Sequence, residues 1–184
     1  MKNRLSKIAL VAMMTAIPLA ADYSYNTHSL FAIEGGGSSV DIEGAGGTYE
    51  DKEMASVGLK VGAQTDDYRI FLSARHYDVE DLNSLHTYGA EVQYMFNFSK
   101  PVNFFIGANG GIANITAAAV GVPSESETAT YYGADAGFNL HATELIDLEI
   151  GARYMGLEDV VVGGVVVDDI VTAYASVIIK WQMD

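Results

Sequence analysis

The chain has 184 residues, 49% of them hydrophobic and 10% aromatic, which is enough for one domain with a full core and is not the composition of a disordered protein. A formal charge of −14 leaves no basic face for nucleic acid, and the absence of cysteine excludes disulfides, thiolate metal sites and a lipidated N-terminal cysteine. Nineteen glycines against three prolines suit strands and turns better than helices.

The first 21 residues carry Lys2, Arg4 and Lys7 and then an apolar run from Ile8 to Ala21 without an acid, followed by Asp22. This is the layout of a cleaved signal peptide, too short for a spanning helix, with Leu19 and Ala21 at the cleavage positions. Two regions are expected: a signal peptide over 1–21 and a single barrel domain over 22–184. Removing the three leader cations leaves 7 basic against 24 acidic residues, a net of −17. After Asp22 no window holds the roughly 18 uncharged apolar residues of a spanning helix. If the exported protein lives in a membrane, only a closed barrel satisfies its backbone.

Alternation of period two predicts strands over 29–40, 56–64, 68–77, 87–98, 102–113, 131–141, 145–155 and 171–183. The fourth is plainest, with Tyr88, Ala90, Val92, Tyr94, Phe96 and Phe98 alternating with Thr87, Gly89, Glu91, Gln93, Met95 and Asn97. A Gly-Ala-polar triplet recurs at Gly62, Gly89, Gly107, Gly133 and Gly151 at spacings of 27, 18, 26 and 18 residues. Short connections near 66, 100 and 143 thus alternate with long excursions near 41–55, 78–86, 114–130 and 157–170. Eight strands with alternating loop lengths is the pattern of an all-β, antiparallel, up-and-down transmembrane barrel.

The face opposite the apolar one is rich in glycine interleaved with bulky or charged residues, as a narrow filled interior requires. Turns centred on 66–67 and on 143 are expected to set Gly62 against Phe71, Gly58 against Arg75, Gly133 against Arg153 and Gly137 against Glu149. The inward charges are then Glu34, Glu91, Asp135 and Glu149 against Lys60, Arg75, Arg153 and Lys180, with Asp147 and Arg69 near the short-turn rim. Buried charges must be paired, so these read as a salt-bridged plug, with an ion-conducting lining as the alternative. On the apolar face, Phe96, Phe98, Phe104, Phe138 and Trp181 gather near the short turns and Tyr88, Tyr132 and Tyr154 near the long loops, as two interfacial girdles.

The near-palindrome Glu-Asp-Val-Val-Val-Gly-Gly-Val-Val-Val-Asp-Asp from Glu158 to Asp169 predicts that strands seven and eight continue past the membrane as a hairpin. Pairing Val162 with Val165 would set Ala152 against Ala175, Ile150 against Val177, Ile146 against Trp181 and Asp147 against Lys180. The hairpin reads as a barrel extension, with a partner-binding edge as the functional alternative. The outer loops hold Asp41, Glu43, Glu50, Asp51, Glu53, Asp78, Glu80, Asp81, Glu125, Glu127, Glu158, Asp159, Asp168 and Asp169 against Lys52, in a spacing that matches no calcium loop and reads as a solvated acidic rim. His28, His76, His86 and His141 show no serine or acid placed beside them in a catalytic pattern, so neither an enzymatic site, a metal site nor a cofactor is expected.

On these strands, leader and loop lengths, the chain from Ser29 to Met183 resembles the small OmpA-like and opacity-type outer-membrane barrels. The resemblance implies a porin-like or surface-exposed barrel in the bacterial outer membrane of a Gram-negative cell. Its partners would be outer-membrane lipid, lipopolysaccharide and the assembly machinery, with a surface partner at the outer loops. Two features depart from that pattern: Trp181 is followed by Gln182, Met183 and Asp184 where an aromatic end is usual, and no peptidoglycan-binding domain follows. The expected role is non-enzymatic, supporting envelope integrity or surface contact. A narrow ion or small-solute pore and a soluble lipocalin-like binder, with its apolar face inward, stand as alternatives.

Overall fold

The computed structural model describes residues 27–43, 49–78, 84–99, 101–117, 125–162 and 165–182. The leader expected over 1–21 lies outside them, as do Glu80 and Asp81. Eight strands, β1 (His28–Glu43), β2 (Tyr49–Gln64), β3 (Tyr68–Asp78), β4 (Ser84–Phe96), β5 (Val102–Ala117), β6 (Glu125–His141), β7 (Ile146–Val162) and β8 (Val165–Gln182), follow one another in chain order. Each pairs antiparallel with the next, and β1 pairs with β8 to close the barrel.

All eight predicted strands are present, and most run well into the stretches read from sequence as loops. β2 begins at Tyr49, β5 continues to Ala117 and β6 begins at Glu125, whereas β7 to Val162 and β8 from Val165 form the hairpin extension expected from the valine palindrome. The registers Gly62↔Phe71 and Gly58↔Arg75 are those expected. Two others differ by two residues. In the β6–β7 hairpin Asp135 pairs with Arg153 and Gly137 with Gly151, while Gly133 faces Met155. The turn is centred later than 143, because the amides of Ala142 and Thr143 both bond the carbonyl of Ile146, at 3.0 Å each.

In the last hairpin Val162 pairs with Val165 as expected, but a bulge between Gly156 and Val160 shifts everything below it. Ile146 therefore faces Ile179, Asp147 faces Ile178, Ile150 faces Ala175 and Ala152 faces Ala173. A shift of two residues leaves every side chain on its original face, which is why the face assignments survive the register error.

Two faces follow from the alternation, and they exchange character along the barrel. Over the half nearest the short turns, the outside is a band of Ile33, Val57, Leu59, Val61, Leu72, Val92, Ile106, Ile150 and Val177, all exposed, while the inside carries the charges. Such a continuous apolar exterior is stable only against lipid, so the barrel is a membrane barrel and the soluble-binder arrangement, with the apolar face inward, is overturned. Toward the long-loop end the sense reverses. Leu85, Ile115, Met155, Leu157 and Ile170 turn inward with Tyr77 and Tyr131 to form a buried apolar cluster. The outward positions there are His76, Asp78, His86, Asn114, Thr128, Thr130 and Glu158. Beyond the membrane the strands behave as an ordinary soluble barrel, polar outside and apolar within.

Candidate functional site

The lumen brings seven of the eight predicted charges into one buried network. Glu34 on β1 is its hub: its Oε1 accepts from Arg75 Nε at 2.8 Å and Arg153 Nη1 at 2.7 Å. Its Oε2 accepts from Arg153 Nη2 at 2.9 Å and lies 3.2 Å from Lys60 Nζ. Glu91 on β4 takes a hydrogen bond from Arg75 Nη2 and lies 3.6 Å from Arg153 Nη2. Lys60 on β2 then joins this upper group to Glu149 on β7 at 3.0 Å.

Arg69 was expected at the rim and instead reaches the centre. Its guanidinium donates to Glu149 and, through Nε, to Gln93 Oε1 at 2.7 Å. It is fully covered because β3 places it beneath the Phe71 and Phe105 rings, 5.1 and 5.2 Å from their centroids. Asp135 differs from the other carboxylates in being held by amides, Gln93 Nε2 at 2.5 Å and Asn109 Nδ2 at 3.4 Å.

Lys180 stands apart from the main cluster. It bonds Asp147 Oδ1 at 2.7 Å, close to His141, and Asn139 Nδ2 links this lower group upward by donating to Asp147 Oδ2 at 3.1 Å. Five buried or half-buried cations, Lys60, Arg69, Arg75, Arg153 and Lys180, thus face five acids, Glu34, Glu91, Asp135, Asp147 and Glu149. Without that balance the desolvation of so many ions would be prohibitive.

Aromatic rings fill the spaces between charges. Tyr174 lies 4.4 Å from the Arg153 guanidinium and 5.2 Å from Lys60 Nζ, and Phe71 lies 4.9 Å from Lys60 Nζ. Above the charged layer sits the apolar cluster of Tyr77, Leu85, Ile115, Tyr131 and Met155. Sequence reading missed this cap, because Leu85, Ile115 and Leu157 fall in stretches whose outward neighbours are polar and so looked like loop. The signal was available as alternation of the opposite sense, apolar at 113, 115, 129, 131, 155 and 157.

The girdle residues all lie on the outer face. Phe96, Phe104 and Phe138 form a continuous ring contact across β4, β5 and β6, with centroids 5.7 and 5.4 Å apart, and Tyr94 and Tyr68 extend it onto β3. Phe98 stacks on Phe96, although β4 ends before it. Trp181 is exposed at the same end, and Tyr88, Tyr132 and Tyr154 are exposed where the wall changes from apolar to polar.

No protein-family model matches the chain, and no curated protein matches it by sequence. Among solved structures, Neisserial surface protein A is similar at 20% identity with a TM-score of 0.67, covering 82% of this chain and 97% of the other. The N-terminal β-barrel domain of Pseudomonas aeruginosa OprF aligns at 15% identity and TM-score 0.63, over 85% and 98% of the two chains. The outer membrane protein OprG of the same organism aligns at 14% and 0.50, over 88% and 100%. The chain has the fold of the small eight-stranded outer-membrane β-barrels. That is the fold implied by the resemblance to OmpA-like and opacity-type proteins.

Proposed function

We propose that this protein is a non-enzymatic, non-conducting barrel of the bacterial outer membrane whose acidic extramembrane collar supports envelope integrity or contact with other surfaces. The observation that carries this reading is the doubly filled lumen: a balanced ion-pair layer within the membrane band, capped by the apolar cluster around Tyr77, Leu85 and Met155. Charged side chains alone would also line a pore, but an ion following them would next meet a dry apolar layer that offers no replacement for its water. The channel reading therefore has support from the lower layer and none from the upper.

The exposed aliphatic band and its aromatic borders suit outer-membrane lipid and lipopolysaccharide as the surrounding partners, and a closed barrel of this kind would be inserted by the outer-membrane assembly machinery. The carboxylates of the collar, Glu53, Asp78 and Glu158 among them, give its outward surface an acidic character that fits cation-bridged contact with anionic lipid or a basic surface partner. Planar-bilayer recording tests the central part of this reading. Purified barrel is expected to add no conductance steps above background, and reproducible steps from the wild-type protein would replace the plug with a pore.

A further inference from the structure

His76 and His86 stand directly opposite each other on β3 and β4, with ring centroids 4.7 Å apart and planes tilted by 35°. Both lie on the outer wall just beyond the apolar band, where Tyr88 is the next outward residue below on β4 and Asp78 the next above on β3. Their flanking positions are Val57 on β2 and Asn114 on β5, and Asn114 is already engaged by the Thr128 hydroxyl at 2.8 Å. His76 Nδ1 is buried and has no hydrogen-bond partner.

We propose that His76 and His86 form a two-imidazole site for a divalent transition-metal ion at the membrane edge of the outer wall. Directly opposed residues on an antiparallel ladder bring their Cβ atoms to roughly 4.5–5.5 Å, so turning the two side chains out of their present near-parallel arrangement, with no movement of the backbone, aims one nitrogen of each ring at a single ion. Imidazole nitrogen suits copper, zinc and nickel, and a buried ring nitrogen without a partner gains one on coordination. The surroundings select a cation over an anionic headgroup, since Asp78 is two residues away and Glu53 and Glu158 are exposed at the same end of the barrel.

Among the described residues no set of three or more histidines and acids is placed to hold an ion. Two protein ligands therefore leave the remaining positions to water, which makes the site open and exchangeable, unlike the closed four-ligand centres of structural zinc. The order of affinities across the first-row metals places Cu²⁺ first.

The test uses the untagged, folded barrel in detergent micelles, titrated with Cu²⁺ and followed by electron paramagnetic resonance, and with Zn²⁺ followed by calorimetry. The wild type is expected to take one copper ion with two nitrogens in its equatorial set. His76→Gln and His86→Gln are each expected to lower affinity at least tenfold and leave one nitrogen, while a His28→Gln, His141→Gln control titrates like the wild type. Both variant side chains lie outside the barrel, and a heat-dependent gel shift verifies that each variant is folded. An all-oxygen copper spectrum from the wild type, or equal affinity in the folded His76→Gln, His86→Gln double variant, overturns the proposal.

Discussion

Glu34 accepts from two guanidiniums and lies beside Lys60, so its carboxylate offsets more buried positive charge than any other single group in the lumen. Glu34→Ala leaves Arg75 and Arg153 to share Glu91 and Lys60 to rely on Glu149, so buried positive charge is under-compensated, and it is expected to cost about 3–5 kcal/mol, read as a lowered urea midpoint for the barrel in lipid vesicles. Glycine positions make a second, sharper contrast. A Cβ on Gly89 would overlap the Tyr131 hydroxyl and come within 2.5 Å of the Gly110 carbonyl oxygen, whereas one on Gly37 meets nothing within 4 Å. Gly89→Ala is expected to destabilise by about 1–3 kcal/mol and Gly37→Ala to be neutral in the same urea titration. The need for small residues opposite bulky ones was legible in the sequence as glycine interleaved with charge. Which bulky residue each glycine meets was legible only where the turn was tight: Gly62 and Gly58 were placed by the Asp66-Asp67 turn, while Gly133 and Gly137 were misplaced by two because the turn after His141 carries extra residues.

At the scale of the strand, the exchange of apolar and polar faces marks where the membrane stops. On β7 the outward Ile150 is 61% exposed within the apolar band, and on β6 the outward Thr128 donates to Asn114 directly across on β5, above that band. Ile150→Lys is expected to cost about 2–4 kcal/mol because it places an ammonium in the hydrocarbon, and Thr128→Lys about 0–1 kcal/mol because it meets water. Equal costs, measured by chemical unfolding in vesicles, would place both sites in one environment. Strand identity and facing were readable from period two alone, since Tyr88, Val92 and Phe96 share parity whatever their partners. Strand length was readable only for β7 and β8, from the valine palindrome; elsewhere an alternation that reverses its sense looks like noise when one face is expected to stay apolar throughout. The bulge between Gly156 and Val160 was equally hidden, as an even register shift leaves no trace in the pattern of faces.

For the molecule as a whole, two layers seal one tube: paired charges where the exterior is lipid, and apolar packing where the exterior is water. The interior charge was legible as eight named residues, and the structure joins seven of them while setting Lys180 with Asp147 at the short-turn end. The chain's single tryptophan, Trp181, is exposed at that end on the outer face, so it reports directly on what surrounds the barrel. The decisive measurement is quenching of its native fluorescence in vesicles made with lipids brominated at shallow or deep acyl positions. The expected result is strong quenching by shallow bromines, weaker quenching by deep ones and little by aqueous acrylamide. Acrylamide quenching with no response to brominated lipid would contradict a lipid-facing apolar wall, and with it the membrane barrel described above.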